Sequence, residues 1–188
     1  VKPFASTLRL HAAVLAAVVF FDQITKQWAR ARFTGQGGQP DYDAHIAVLG
    51  DWLHLRLVYN YGASFGMRPQ EILPFLHPVA FFALITLAAI VLLLLYYRKL
   101  EPRDKAGRLA IVLVLSGAIG NNLIDRPIFH KVTDFIDVGM PGVHPRFPVF
   151  NVADAAVTTG ILLLFLAPLF LRKKNPAAPA REETSDAV

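Results

Sequence analysis

The sequence predicts an all-α integral membrane protein of four transmembrane helices with a small extracytoplasmic β-sheet element. Three observations carry that reading. Of the 188 residues 54% are hydrophobic, the mean hydropathy is positive at +0.43, and the apolar residues gather in four runs, each near the roughly twenty residues that a helix needs to cross a bilayer. The length suits one compact bundle, so a single membrane domain is expected over 1–174. A disordered cytoplasmic tail is expected over 175–188, where Pro, Ala and charge dominate.

The first span is placed at about 10–28, interrupted by Asp22 and Lys26. Lys2 and Arg9 ahead of an apolar stretch, with Ala29-Arg30-Ala31 behind it, imitate a secretory signal and its cleavage site. The charges between stretch and site, and the arginine inside the site, argue instead for a retained transmembrane helix. The second span, about 79–97, carries no charge, and Pro74 and Pro78 precede it as residues suited to a helix start. The third, about 109–124, stops at Asp125-Arg126-Pro127. The fourth, about 152–171, has Asp154 in its first turn and Arg172-Lys173-Lys174 closing it. Between the first two spans, Gly35-Gln36-Gly37-Gly38-Gln39-Pro40 reads as loop. Residues 52–60, where His54 and Arg56 alternate with leucines, read as a strand of a small sheet on the membrane surface.

Orientation follows from the basic residues. Four spans put both termini on the side of the short loop 98–108, and that side collects eleven of the nineteen Lys and Arg residues, Arg98, Lys99, Arg103, Lys105 and Arg108 among them. The termini are therefore expected in the cytoplasm and the ends near Asp134 and Asp154 on the outer face. The net charge of +5 sits at the ends of apolar runs and not along one amphipathic face, which excludes nucleic acid as the expected partner. With no cysteine there is no disulfide, thiolate nucleophile or cysteine metal site. None of the six histidines has a metal-binding spacing, and His144 reads as a surface residue, so no metal and no cofactor is expected.

Five polar clusters interrupt this apolar chain. In Asp22-Gln23-Ile24-Thr25-Lys26 the two charges are four residues apart, so on a helix they share a face and pair. Asn60-Tyr61-Gly62-Ala63-Ser64-Phe65 begins like a turn after a strand. In Asn122-Leu123-Ile124-Asp125-Arg126 the Asn and Asp share the outer end of a helix, whose earlier small residues Ser116, Gly117, Ala118 and Gly120 suit close helix packing; an Asp125–Arg126 pair at the water interface is its plain reading. Val132-Thr133-Asp134-Phe135 reads as a loop. In Phe150-Asn151-Val152-Ala153-Asp154, Asn151 is placed to cap the fourth helix. An ionisable residue near the hydrocarbon is expensive and marks a functional site by default.

In this order, over nearly the whole chain, the five clusters resemble those of the lipoprotein signal peptidases (signal peptidase II), the membrane aspartic peptidases of bacteria. The resemblance implies removal of signal peptides from prolipoproteins before a cysteine carrying a diacylglyceryl group, sensitivity to globomycin, and a bacterial inner-membrane location. It implies that Asp22 and Lys26 are structural and that Asn60, Gly62, Asn122, Asp125, Arg126 and Asn151 bind substrate or support the site. One departure stands out. The family reads Gly-Asn before two apolar residues and Asp-Arg, whereas here Asn121 stands where the glycine is expected and Gly120 one place earlier; either Asn121 replaces that glycine or one residue is inserted, and Asn122 is the better match to the family asparagine, with Asn121 able to share its role.

Aspartic peptidase chemistry needs two carboxylates close enough to share a proton, one acting as base and one as acid. Asp125, Asp134, Asp137 and Asp154 are the candidates. Asp154 sits where the first turn of a helix favours negative charge. Asp125 has a neighbouring arginine to neutralise it, while Asp134 has none, and the resemblance likewise points to Asp134 as the partner. Asp134 and Asp154 are thus the expected catalytic pair, with acid and base unassigned. Prolipoproteins and membrane lipid are the expected partners, and a monomer the expected state. The competing reading is a small proton-coupled carrier, which would call for internal repeats and charges near mid-membrane.

Overall fold

The computed structural model describes residues 2–62, 75 and 77–172, with side chains inside 7–166 of that set. The tail at 175–188, Lys173, Lys174, Arg68, Pro74 and the Ala63-Ser64-Phe65 half of its cluster lie outside the described residues. The first helix, α1, spans Lys2–Phe33. The second, α2 (Pro78–Lys99), starts on Pro78, with His77 Nδ1 accepting from the Val79 amide at 3.3 Å. This cap satisfies one of the amides that a helix leaves open at its start.

Helix α3 (Lys105–Ala118) is capped by Asp104, which accepts from Gly107 N at 2.8 Å. Arg108 is buried and donates to the Leu100 carbonyl at 2.7 Å, which ties down the loop between α2 and α3. The chain then widens into a π-helical segment, Ile119–Asp125, and continues as the short helix α4, Arg126–Phe129. His130 ends it in the left-handed conformation (φ 58°). The last helix, α5, covers Val152–Arg172.

Among the described residues three helical stretches are long and apolar enough to cross a membrane: Thr7–Phe33, Pro78–Lys99 and Lys105–Phe129; a fourth apolar stretch, Val152–Leu166, is shorter. Helix α2 shows what lipid does to sequence. Ile85, Val91 and Leu92 are each more than half exposed, and only Phe82 and Thr86 of the helix are buried. An all-apolar helix with so little protein cover is stable only where hydrocarbon meets it.

The sheet is larger than residues 52–60 foretell. Strands β1 (Ile46–Leu49), β2 (Leu53–Asn60) and β3 (Val132–Val138) form an antiparallel sheet in the order β1-β2-β3. The loop expected at Val132-Thr133-Asp134-Phe135 is thus a strand, and β3 pairs Asp134 with Val58 and Val132 with Asn60. Two aspartates give β3 a poor strand propensity, but pairing with β2 and burial of Phe135 override it. Phe135 packs with Leu57 of β2 against Ala29 and Phe33 of α1, which seats the sheet on one end of the bundle.

Small residues let α3 and α5 touch. A Cβ added to Gly160 would come within 2.6 Å of the Ala110 carbonyl oxygen, and one on Gly117 would collide with the Ala153 carbonyl. Without a hydrophobic force between helices in lipid, such close backbone approach supplies the attraction. Gly160→Val is expected to destabilise the fold by about 1–3 kcal/mol, read as a lowered Tm in detergent; an unchanged Tm would mean that α5 slides away from α3 without cost.

Candidate active site

The site is assembled at the sheet end of the bundle, and it starts with one residue. Asn151 is fully buried, and its Nδ2 donates to Asp134 Oδ1 at 2.6 Å. Its backbone N donates to Asp154 Oδ2 at 3.1 Å, while its Oδ1 accepts from Asp154 N at 2.8 Å. The last two bonds are the reciprocal exchange of a capping box, here built from Asn and Asp at the start of α5. Capping and alignment of two carboxylates therefore fall to the same side chain.

Asp134 is 3% exposed. Burial pushes its carboxyl up, to about 7, and the charge of Asp154 pushes the same way; hydrogen bonds from Asn151 and Asn60 and the charge of Lys26 hold it back. Asp137, three residues along β3, has the opposite setting. Burial pushes it up too, but Arg146 Nε at 2.8 Å and Arg56 Nε at 2.6 Å outweigh that and hold its carboxyl below the ordinary value. One strand thus carries a carboxyl that keeps its proton near neutrality and one locked as an anion.

Beneath the pair lies a buried network centred on Lys26. Its Nζ lies 2.7 Å from Asp22 Oδ2 and 3.1 Å from Asp125 Oδ2, all three side chains being fully buried. It also donates to Asn121 Oδ1 at 2.7 Å. Asp22 Oδ1 in turn accepts from Ala153 N of α5 at 2.9 Å, and Asp125 Oδ2 accepts from Thr133 N of β3 at 3.1 Å. Gln23 fills remaining acceptor positions, donating to Asp22 Oδ2 at 3.0 Å and Asp125 Oδ1 at 3.1 Å. Among the described residues no buried side-chain nitrogen or oxygen lacks a partner.

The plain reading of Asp125 and Arg126 as a pair at the water interface is corrected here. Asp125 is neutralised by Lys26, and Arg126 turns elsewhere. Its Nε donates to Asn122 Oδ1 at 3.0 Å and its NH2 to the Gly62 carbonyl at 2.6 Å, with the guanidinium 3.7 Å above the Phe82 ring. Asn60 Oδ1 accepts from Gly62 N at 3.1 Å, so the end of β2 is folded into an Asx turn that presents Gly62 to Arg126. Asn122 Nδ2 reaches Thr86 of α2 at 2.9 Å.

The predicted residues Asp22, Lys26, Asn60, Gly62, Asn122, Asp125, Arg126, Asp134, Asn151 and Asp154 thus fall into one connected cluster. Sequence reasoning gave no role to Gln23, Thr86 and Thr133; Gln23 and Thr133 stand beside an aspartate within two of the quoted clusters, and Thr86 is a single polar residue in an apolar stretch, the signals by which they were findable. It also ranked Asn121 behind Asn122, yet Asn121 is the one that touches the carboxylate pair, its Nδ2 donating to Asp154 Oδ1 at 2.8 Å.

Comparison with known proteins agrees with this geometry. The family model described as "Signal peptidase (SPase) II" matches residues 14–170. The chain belongs to the signal peptidase II family. A lipoprotein signal peptidase of Hydrogenovibrio crunogenus is 37% identical over 163 residues, covering 84% of each chain. That of Geobacillus kaustophilus is 35% identical over 157 residues, covering 84% of this chain and 91% of its own. A bacterial membrane enzyme solved by the in meso method at 2.3 Å resolution superposes with a TM-score of 0.70 at 28% identity, covering 90% of this chain and 93% of that one. As in these membrane relatives, the three long apolar helices make this family member a multi-pass membrane protein.

Removing the ammonium while leaving its two carboxylates buried costs far more than the pair contributes. Lys26→Met is therefore expected to destabilise the fold by about 3–5 kcal/mol, measured by chemical denaturation in detergent. A variant as stable as the parent would mean that Asp22 and Asp125 find another counter-charge.

Proposed function

We propose that Asp134 and Asp154 are the catalytic dyad of an aspartic endopeptidase that removes signal peptides from bacterial prolipoproteins, hydrolysing the bond before the diacylglyceryl-modified cysteine. The observation that carries this reading is Asn151, a buried residue hydrogen-bonded to both carboxylates. Two carboxyls held by one residue share a proton readily, because both cannot ionise cheaply in the same site. Family membership supplies the substrate class.

With its carboxyl pushed up to about 7, Asp134 holds the shared proton up to about neutral pH, and Asp154 acts as the base. Asp154 takes a proton from a water, whose oxygen attacks the scissile carbonyl carbon. Asp134 gives its proton to the carbonyl oxygen. The tetrahedral intermediate then collapses: one of its hydroxyls returns a proton to Asp134 as the carbonyl re-forms, the carbon–nitrogen bond breaks, and the proton on Asp154 passes to the leaving amine of the cysteine. Asn60, Gly62 and Arg126 flank the pair and present amide, carbonyl and guanidinium groups to an extended peptide.

Helix α5, 21 residues and so about 30 Å long, is the fourth span. Its last turns lie at the end opposite the dyad, together with the basic loop between α2 and α3. The termini therefore face the cytoplasm and the dyad the outer surface of the inner membrane. A lipid-anchored cysteine is delivered to that surface by its own acyl chains. The domain extends over 1–174 and acts as a monomer.

A gel-shift cleavage assay on a diacylglyceryl-modified prolipoprotein tests the dyad. Folded Asp134→Asn and Asp154→Asn proteins are each expected to lose activity by about 10²–10⁴-fold. Cleavage by Asp134→Asn at the parent rate would move the chemistry to Asp125, and no cleavage by the parent protein would favour a carrier. The pH dependence has a definite sign. Because Asp134 must be protonated, kcat/KM is expected to fall about tenfold per pH unit above the value of about 7; a rate still rising at higher pH would remove Asp134 as the proton holder.

A further inference from the structure

Asn121 and Asn122 are consecutive, yet they serve different neighbours. Asn121 faces α1 and α5: it accepts from Lys26 Nζ at 2.7 Å, donates to Asp154 Oδ1 at 2.8 Å, and accepts from Asn151 Nδ2 at 3.2 Å. Asn122 faces α2 and the end of β2: it donates to Thr86 at 2.9 Å and accepts from Arg126 Nε at 3.0 Å, and Arg126 holds the Gly62 carbonyl.

The backbone makes this possible. Residues Ile119–Asp125 are π-helical, and the Arg126 amide donates to the Asn121 carbonyl five residues back. A π turn holds one residue more than an α turn without breaking the helix, and it shifts the facing of everything that follows. Asp125 thereby remains against Lys26 and Arg126 against Gly62, while both asparagines point into the protein. Tight packing leaves the widened turn no slack. A Cβ on Gly120 would stand 2.7 Å from Asp22 Oδ2.

We propose that the doubled asparagine divides two jobs: Asn121 is a positioning residue for the reaction, orienting the Asp154 carboxylate against Lys26 and Asn151, and Asn122 is a positioning residue for the substrate, holding Arg126 at Gly62. This rests on the dyad reading above. Neither side chain exchanges a proton with the peptide. Asn121 acts on the chemical step because its amide on Oδ1, opposite the Asn151 backbone N on Oδ2, fixes how the Asp154 carboxylate is turned toward the water. Asn122 acts on binding because it buttresses the guanidinium that shapes the end of β2.

The two jobs separate in steady-state kinetics on the diacylglyceryl-modified prolipoprotein in detergent. Asn121→Ala is expected to lower kcat about ten- to a hundredfold, the range of one hydrogen bond to a charged group, with KM within roughly twofold. Asn121→Asp keeps the acceptor for Lys26 but not the donor for Asp154. It is expected to be as slow as the alanine variant and to shift the pH profile of kcat, because its carboxyl and that of Asp154 cannot both ionise cheaply, a shift that a purely structural role would not produce. Asn122→Ala is expected to raise KM roughly threefold to tenfold with the smaller effect on kcat.

Parent-level kcat in Asn121→Asp, or the same pattern of kcat and KM in Asn121→Ala and Asn122→Ala, would overturn the division. Asp134→Asn and Asp154→Asn measured beside them keep the two ideas apart. Activity in those variants sinks the dyad itself, whereas their silence together with a fully active Asn121→Asp sinks only the role of Asn121.

Discussion

One buried ammonium organises the molecule. Lys26 Nζ is in contact with Asp22, Asp125 and Asn121 at once, with no exposure to solvent at the lysine or either acid. Those three partners reach on to β3 once and to the start of α5 twice. Asp22 closes the start of α5 through Ala153 N, Asp125 receives the Thr133 amide of β3, and Asn121 holds Asp154. Dispersion between apolar helices has no direction, and lipid competes with it on equal terms. A desolvated charge with fixed partners is directional, and misplacing it leaves carboxylates buried alone. The register of α1, the π segment, β3 and α5 is therefore set at a single point, directly beneath the carboxylate pair.

The two aspartates of β3 show how far environment sets chemistry. Asp134 and Asp137 lie three residues apart on one strand, and burial acts on both in the same sense. At Asp137 two arginines reverse it, one from β2 and one from the loop after β3 that also donates to the Asp51 carbonyl at 2.7 Å. That ion pair fastens the sheet to the loop leading back to α5. Asp134 meets amides and a second carboxylate instead, so its proton is retained near neutrality. The acid paired with two arginines serves structure, and the one without a cation of its own keeps its proton, as expected when two titratable groups are driven apart by their surroundings.

Helix α2 stands apart from this network. It is mostly lipid-facing and is tied to the bundle by polar contacts toward its two ends. Thr86 and Phe82 meet Asn122 and Arg126 at the dyad end, and Tyr97 meets His11 at 2.7 Å at the other. The second contact pairs the start of α1 with the end of α2, as antiparallel neighbours require. The first makes α2 part of the wall around Arg126 and Asn122, so the helix with the least packing still bears on the polar cluster.

The sequence by itself determined the membrane class, the long apolar helices, the strand at Leu53–Asn60 and every member of the polar cluster except Gln23, Thr86 and Thr133. Hydrophobic run length and the rarity of charge near hydrocarbon are local quantities, and a single chain displays them directly. It also placed Asn151 as the cap of α5, because capping depends on three or four consecutive residues. Tertiary structure alone decided the rest. Val132–Val138 is a strand because β2 supplies the partner and α1 the floor, neither of which is visible in a segment with two aspartates. Asp125 chooses Lys26 over the adjacent arginine because the helix turns Arg126 toward Gly62, 64 residues away in the chain. The separation of Asn121 from Asn122 arises from a widened turn, and whether a helix absorbs an extra residue as a π segment depends on what packs against each face.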